Sequence, residues 1–124
     1  LLNLKLRKLL KLNNQRKKIA NFYNKNINND KIDIIKYGPN AVYHQFVILI
    51  KNRKDLINYL ERNFIQYGIH YPVTINNLGC FKKLFKGKKF INSEYIASHC
   101  LSLPIDPNLS LIDQKRVCSV LNKY

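Results

Sequence analysis

Methionine is absent from this 124-residue sequence, and cysteine and carboxylate side chains are scarce. Because there is no initiator methionine, we expect the chain to begin partway through a longer product. The three cysteines (Cys80, Cys100 and Cys118) form no Cys-x-x-Cys pair, and an odd number does not indicate a disulfide framework. We therefore predict reduced thiols, no metal site and a cytoplasmic protein.

Long apolar runs and catalytic groupings of polar residues are also missing. No apolar run approaches the roughly 20 residues that a membrane span requires, and the N-terminal segment lacks the features of a signal peptide. Only seven carboxylates occur, several of them at predicted helix starts, and no serine-histidine-acid, cysteine-histidine or metal-ligand pattern is found. We therefore expect no membrane partner and no catalytic residue within this chain.

The net charge of +15 would by itself favour nucleic acid or an anionic membrane as a partner. Lysine, asparagine and isoleucine, however, number 17, 17 and 15, and only five residues are arginine. Such a joint excess is typical of A/T-rich coding, whereas selection for phosphate binding would not raise asparagine and isoleucine. We therefore expect most lysines to be solvated surface residues, and nucleic acid is not favoured as a partner.

The patterning predicts an α/β (α+β) fold in which helices cover a three-stranded sheet. With 46% apolar residues the chain can build a core. Residues 1–28 are interpreted as a leading amphipathic helix, and residues 29–124 as one small domain. Strands are predicted at 31–36, 43–51 and 65–71, in the element order α-β-β-α-β-α-α. The second strand is apolar on both faces, which predicts a central strand covered on both sides.

The later helices are predicted from their start signals. Asn52 is a good N-cap for the second helix, and Asn92 or Ser93 opens the third. Ser110 and Asp113 form a variant of the capping box for the fourth. The inner stripe of the second helix is predicted to contain Leu56, Ile57, Leu60 and Phe64.

Four sequence blocks occur in an order and at intervals that resemble a known enzyme family. They are residues 42–48 (Val-Tyr-His-Gln-Phe-Val-Ile), 51–56 (Lys-Asn-Arg-Lys-Asp-Leu), 67–72 (Tyr-Gly-Ile-His-Tyr-Pro) and 101–110 (Leu-Ser-Leu-Pro-Ile-Asp-Pro-Asn-Leu-Ser). With the first helix, they resemble the C-terminal segment of the DegT/DnrJ/EryC1/StrS sugar-nucleotide aminotransferases. The fourth block is interpreted as a loop, because two prolines bracket its centre.

The resemblance implies the small C-terminal domain of a fold-type-I transferase that depends on pyridoxal phosphate. Members of the family transfer an amino group, usually from glutamate, to a keto sugar linked to a nucleotide diphosphate. The cofactor lysine and the acidic partner of the pyridinium nitrogen lie in a large domain that precedes the matched region. No lysine here aligns with that lysine, so no cofactor is expected to bind this chain alone, and the chain alone is expected to be inactive.

The resemblance also implies partners and a site. The partners are a large domain that binds pyridoxal phosphate, in the same chain or a second subunit, a nucleotide-sugar substrate and a second copy in a homodimer. His70 and Tyr71 are the candidate substrate-binding residues, since they present polar tips from a predicted strand end. The alternative is that His70 is a buried histidine and Tyr71 a packing aromatic. Tyr43 and His44 are interpreted as structural, because they begin the predicted central strand.

Some positions depart from the family pattern. After residues 70–72 the family usually continues with a second proline and then a histidine, where this sequence has Thr74 and Asn76. Ile91 replaces a proline that usually precedes the next helix, and the intervening loop is more basic than usual. These departures leave the substrate, and the activity itself, open.

Two other functions remain open from the sequence. A non-catalytic module would bind phosphate through the basic clusters at residues 5–18 and 82–89, with Phe81 and Phe85 stacking on bases. No recognisable nucleic-acid-binding motif accompanies these clusters. A degenerate remnant would fold and act only as an interaction surface.

Overall fold

The computed structural model describes residues 2–124, with the side chain of Leu4 left out of the description. The elements in chain order are α1 (Leu2–Asn26), β1 (Asp33–Ile34), β2 (Phe46–Leu49), α2 (Arg53–Arg62), α3 (Ile91–His99), β3 (Cys100–Leu103) and α4 (Leu111–Asn122). A 3-10 turn, Ile75–Asn77, lies within the long connection between α2 and α3. The mixed α/β fold with a three-stranded sheet and covering helices is confirmed.

The sheet is antiparallel and has the strand order β1-β2-β3, so the predicted central strand is central. In the β2–β3 pair, Ile48 lies opposite Leu101 and Val47 lies opposite Ser102. Because side chains alternate along a strand, the first pair occupies one face and the second pair the other. All four residues are buried, so both faces of the sheet are covered.

The hydrophobic core joins one face of the sheet to helices α1, α2 and α4. The buried members of this cluster include Ile19, Ala20, Tyr23, Phe46, Ile48, Leu56, Leu60, Leu101, Leu103, Val117 and Leu121. Tyr23 connects the layers: its ring meets Phe46 edge to face at 5.2 Å, and its hydroxyl donates to the carbonyl of Pro104 at 2.9 Å. The second half of α1 therefore buries its apolar residues in this core.

The first half of α1 extends beyond this core. Leu2, Leu6, Leu9 and Leu10 are exposed there, between lysines and an arginine. None of the helices within residues 2–124 has both the length and the apolar character needed to cross a membrane.

The prediction of a third strand at 65–71 is wrong. Only Gly68 of that segment forms a β-bridge, to Ser102. The third strand is β3, which falls where the sequence predicted a loop, and all four of its residues are buried. Its four residues are too few for periodicity to distinguish a strand from the loop that Pro104 and Pro107 indicate. The strand is stabilised by pairing with β2, whose residues lie 51 to 57 positions earlier. The observed element order is therefore α-β-β-α-α-β-α.

Two further positions differ from the prediction because the backbone turns there. Tyr43 has a φ of 52°, which a strand does not contain, so β2 begins at Phe46 and Tyr43 and His44 precede it. Phe64 has a φ of 54° and is 85% exposed, because α2 ends at Arg62 and the chain then reverses. Phe64 therefore does not belong to the inner stripe.

The helix starts are partly as predicted. The hydroxyl of Ser110 accepts a hydrogen bond from the amide of Asp113 at 3.1 Å, which confirms the predicted cap of α4. Asn52 occupies the N-cap position of α2, but its side chain makes no capping bond. Helix α3 begins at Ile91 rather than at Asn92 or Ser93.

Candidate functional site

The position of His70 is set by a short antiparallel bridge to β3. The amide of Gly68 donates to the carbonyl of Ser102 at 3.0 Å, and the amide of Ser102 donates to the carbonyl of Gly68 at 2.7 Å. This bridge lies on the sheet edge formed by β3, and His70 follows it by two residues. The side chain of Ser102 points away from the helical core, because Leu101 and Leu103 on either side enter the core.

The imidazole of His70 is held against this edge. Its Nδ1 lies 3.1 Å from the hydroxyl of Ser102, and its ring occupies the space into which a Cβ on Gly68 would extend. The thiol of Cys100 lies 3.8 Å from the carbonyl oxygen of His70. Since Nδ1 is bonded to Ser102, Nε2 is the ring nitrogen left for a ligand. His70 is exposed as a residue, and its role as a substrate-binding residue stays a prediction.

A cleft of about 230 Å³ opens at His70. It is lined by His44, Gln45, Gln66, Tyr67, Gly68, His70, Ser102, Leu103, Pro104 and Ile105. Two imidazoles and two carboxamides thus share one small cavity. Such groups donate and accept hydrogen bonds at fixed places, as recognition of sugar hydroxyls requires.

Tyr71 does not line this cleft. Its ring stands nearly perpendicular to that of His70, at 84° with centroids 5.8 Å apart, and it is 73% exposed. It instead borders a second, larger cavity of about 450 Å³, together with Phe85 and Phe90. The two candidate residues are therefore adjacent in sequence but line two separate cavities.

Sequence reasoning missed His44 and Ser102 as cleft residues. His44 was interpreted as the start of a covered strand, but it is exposed and lines the cleft with His70. Tyr43 contributes to the core and packs on Tyr37 at 5.3 Å, so its structural interpretation agrees with the contacts. The signal for His44 and Ser102 was available, since both occur in the sequence blocks that carry the family resemblance.

Two further polar contacts tie neighbouring elements of this region together. The guanidinium of Arg53 donates to the carbonyls of Ala97 and Cys100 at 2.7 and 3.2 Å, which ties the start of α2 to the junction of α3 and β3. The hydroxyl of Tyr67 donates to the carboxylate of Glu61 at 2.7 Å. This hydrogen bond raises the pKa of Tyr67, so the hydroxyl stays protonated as a donor.

The residues described here do not fit pyridoxal phosphate as a resident cofactor. The cofactor requires an enclosed lysine and a carboxylate aimed at the pyridine nitrogen. All lysines within residues 2–124 are exposed, except Lys17, which is half-buried on α1. The described residues also contain no cluster of three or more His, Cys, Asp or Glu side chains that could hold a metal ion.

Comparison with known proteins agrees with these features. The DegT/DnrJ/EryC1/StrS aminotransferase family model matches residues 1–122. A protein of Aneurinibacillus thermoaerophilus described as a dTDP-3-amino-3,6-dideoxy-alpha-D-galactopyranose transaminase is 32% identical over 126 residues, covering 100% of this chain and 34% of that protein.

Solved structures of this group share the fold. The structure of S. venezuelae DesV in complex with a ketimine intermediate superposes with a TM-score of 0.91 at 25% identity, over 98% of this chain and 34% of that one. The Bacillus subtilis protein ntda, solved with bound cofactor PMP, gives 0.78 at 24% identity, over 89% of this chain and 27% of that one. The chain thus spans about a third of the length of these relatives. It belongs to the DegT/DnrJ/EryC1/StrS aminotransferase family.

Proposed function

We propose that this chain is the C-terminal domain of a pyridoxal-phosphate-dependent aminotransferase that acts on a nucleotide-linked keto sugar. The observation that carries the proposal is the family match over residues 1–122, combined with coverage of only a third of each relative. The other two thirds of such an enzyme supply the cofactor lysine, either in the same chain or in a second subunit. This chain alone is then inactive, and its role is to complete the substrate pocket.

The cleft at His70 and the cavity at Tyr71 support this role. In the proposed enzyme, His70 presents Nε2 to a sugar hydroxyl while Ser102 fixes the ring through Nδ1. His44 adds a second imidazole to the same cleft. Tyr71, with its exposed hydroxyl-bearing ring, provides a contact on the neighbouring side. The residues thus bind and orient the substrate, and the proton transfers belong to the domain that holds the cofactor.

The location, the assembly and the amino donor of the enzyme are part of the same proposal. Three free thiols in residues 2–124 support a cytoplasmic location, where nucleotide sugars are made. The family resemblance supports a homodimer as the working assembly. Glutamate is the amino donor that the resemblance favours.

A chimera tests the proposed function. This chain replaces the matching third of the A. thermoaerophilus transaminase, and formation of 2-oxoglutarate from glutamate is measured with a nucleotide-linked keto sugar. We expect a chimera that binds pyridoxal phosphate and turns over, and no turnover by this chain mixed with the cofactor alone. A folded chimera that binds the cofactor without transaminating any nucleotide keto sugar would contradict the proposal and indicate a remnant without chemistry.

The role of His70 is tested in the same chimera. His70→Ala removes one hydrogen bond to the substrate, so we expect KM to rise about threefold to tenfold while kcat changes less. His99→Ala is the matched control, because His99 stacks on Tyr95 in α3 and does not line the cleft. Equal effects of the two variants on KM would remove His70 from the substrate pocket.

A further inference from the structure

Helix α3 passes directly into strand β3, and the two elements wall different cavities. The helix ends at His99 and the strand begins at Cys100, with no connecting loop between them. Residues of α3 line the cavity that Tyr71 borders, whereas residues of β3 line the cleft at His70. The junction of α3 and β3 therefore determines how the walls of the two cavities lie relative to each other.

A side chain from another helix closes this junction. Nη1 of Arg53 donates to the carbonyl of Ala97 at 2.7 Å and to the carbonyl of Cys100 at 3.2 Å. The carbonyl of Ala97 belongs to the last turn of α3, where the helix itself supplies no partner. A cation at the C-terminal end of a helix also interacts favourably with the helix dipole. One guanidinium thus holds the end of the helix and the start of the strand.

The stability of its own helix does not explain where Arg53 lies. Arg53 is the first residue of α2, where the helix dipole favours a negative charge over a positive one. Its side chain is half-buried, and removing a cation from water is costly unless hydrogen bonds replace the lost hydration. The two carbonyls supply such bonds. The arrangement is therefore unfavourable for α2 and favourable for the junction of α3 and β3.

The segment that carries the two candidate residues contacts the same junction. The thiol of Cys100 lies 3.8 Å from the carbonyl oxygen of His70, and the hydroxyl of Ser102 lies 3.1 Å from Nδ1 of that histidine. Ala97, the other acceptor at the junction, lines the cavity at Tyr71 directly. A displacement of the junction would therefore move a wall of both cavities.

We propose that Arg53 is a positioning residue for substrate binding, which keeps the cleft at His70 and the cavity at Tyr71 in one fixed relation. Arg53 is not among the described residues that line either cavity, so it acts through the junction. Each terminal nitrogen of a guanidinium carries two N–H donors in a fixed plane, so one nitrogen can serve both carbonyls. The inference rests on the proposed function, in which the two cavities receive one substrate.

NMR spectra of the 124-residue chain test the geometry. Arg53→Gln removes the charge and shortens the side chain, so we expect the ring signals of both His70 and Tyr71 to shift. Arg53→Lys keeps the charge and some donors, and it should shift the same rings less. Arg116→Gln is the matched control, because this guanidinium on α4 also donates to a backbone carbonyl, that of Asn63 at 2.9 Å. It should leave both rings unchanged, since Arg116 is not among the described residues that line the cavities.

Kinetics of the chimera test the role in binding. Arg53→Gln should raise KM for the nucleotide-linked keto sugar about threefold to tenfold and change kcat less, because it displaces contacts with the bound substrate. Arg53→Lys should restore part of the loss, and Arg116→Gln should leave KM unchanged. In a His70→Ala background the effect of Arg53→Gln on KM should be smaller, since effects that pass through one contact are not additive.

The inference fails on any of three results. They are unchanged His70 and Tyr71 signals in Arg53→Gln, equal shifts in Arg53→Gln and Arg116→Gln, and an active chimera in which Arg53→Gln leaves KM unchanged. The last result would leave the aminotransferase proposal intact. An inactive chimera would refute that proposal instead, and the ring signals of the 124-residue chain would then decide whether Arg53 holds the two walls.

A second variant keeps the test decisive if Arg53→Gln prevents folding. Arg53→Lys then takes its place, because the longer charged side chain keeps donors near the junction. Shifts in both rings would support the inference, and shifts in one ring or in neither would contradict it. Circular dichroism checks that each variant keeps its helices.

Discussion

At the scale of single residues, the candidate site depends on a glycine and a serine that hold a histidine between them. Gly68 pairs with Ser102 through two backbone hydrogen bonds, and the hydroxyl of Ser102 meets Nδ1 of His70. The absence of a side chain at Gly68 provides the room for the imidazole. The shape of the cleft therefore depends on the small size of Gly68 as well as on the hydrogen bond between Ser102 and His70.

Gly68→Ala should displace the ring of His70 from Ser102. The new methyl group meets the imidazole, and the flexible side chain gives way before the backbone bridge does. We expect the His70 ring signals in NMR to shift and the free energy of unfolding to fall by about 1 kcal/mol, the usual value of one hydrogen bond. Gly38→Ala is the control, because a Cβ there meets nothing within 4 Å. Unchanged His70 signals in Gly68→Ala would mean that another contact positions the ring.

At the scale of elements, α4 illustrates a start signal that works as its sequence predicts. The hydroxyl of Ser110 accepts from the amide of Asp113 and donates to its carboxylate at 2.6 Å. The bond satisfies an amide that the first turn of a helix leaves without a partner. Helix α4 then delivers Val117, Cys118 and Leu121 to the core.

Ser110→Ala should lower the free energy of unfolding by about 1 kcal/mol, because it removes this cap. Ser119→Ala serves as the matched control: Ser119 is exposed within the same helix, and alanine is the better helix former, so little or no loss is expected. Chemical denaturation with an unchanged m value measures both effects. Similar losses in the two variants would show that the cap contributes nothing specific.

The elements also show where sequence patterns stop being informative. Caps and apolar spacing predicted α1, α2 and α4, because a helix satisfies its hydrogen bonds within its own segment. Strand β3 was missed, because its four residues acquire their partners only when β2 lies beside them. Residues 65–71 carried a stronger strand pattern. The backbone reverses just before them, at Phe64, and Pro72 follows them, and within the segment only Gly68 forms a β-bridge.

At the scale of the whole molecule, the packing of α1 against α4 buries two groups that can lose a proton at high pH, Tyr23 and Cys118. Burial raises the pKa of the Cys118 thiol from 9.0 to about 11. Burial also raises the pKa of Tyr23 on α1, with further increases from Cys118 and from Asp113. Both groups are neutral in the folded protein, so each resists ionisation as long as the helices stay packed.

Stability should therefore decline as the pH rises from about 9 toward 11. Below 9 the thiol is protonated whether the chain is folded or not, so it adds no pH dependence. Above 9 the unfolded thiol loses its proton while the folded one keeps it until about 11, which favours the unfolded state. Denaturation at several pH values should show a shallower decline in Cys118→Ala. Cys80→Ala, which removes an exposed thiol, should behave as the unmodified chain does. An unchanged decline in Cys118→Ala would assign the pH dependence to other groups.

The sequence by itself determined the mixed α/β class, the central position of β2, most helices and the family, because local apolar patterns and blocks that resemble the family can be recognised without coordinates. It also identified His70 and Tyr71 as candidate substrate-binding residues. Only the tertiary structure decided that these two side chains serve different cavities, that His44 and Ser102 join the first, and that β3 is the third strand. Each of these facts depends on residues distant in the chain, brought together by strand pairing and by the backbone reversals at Tyr43 and Phe64. No local pattern encodes such contacts, since they arise from packing of the whole chain.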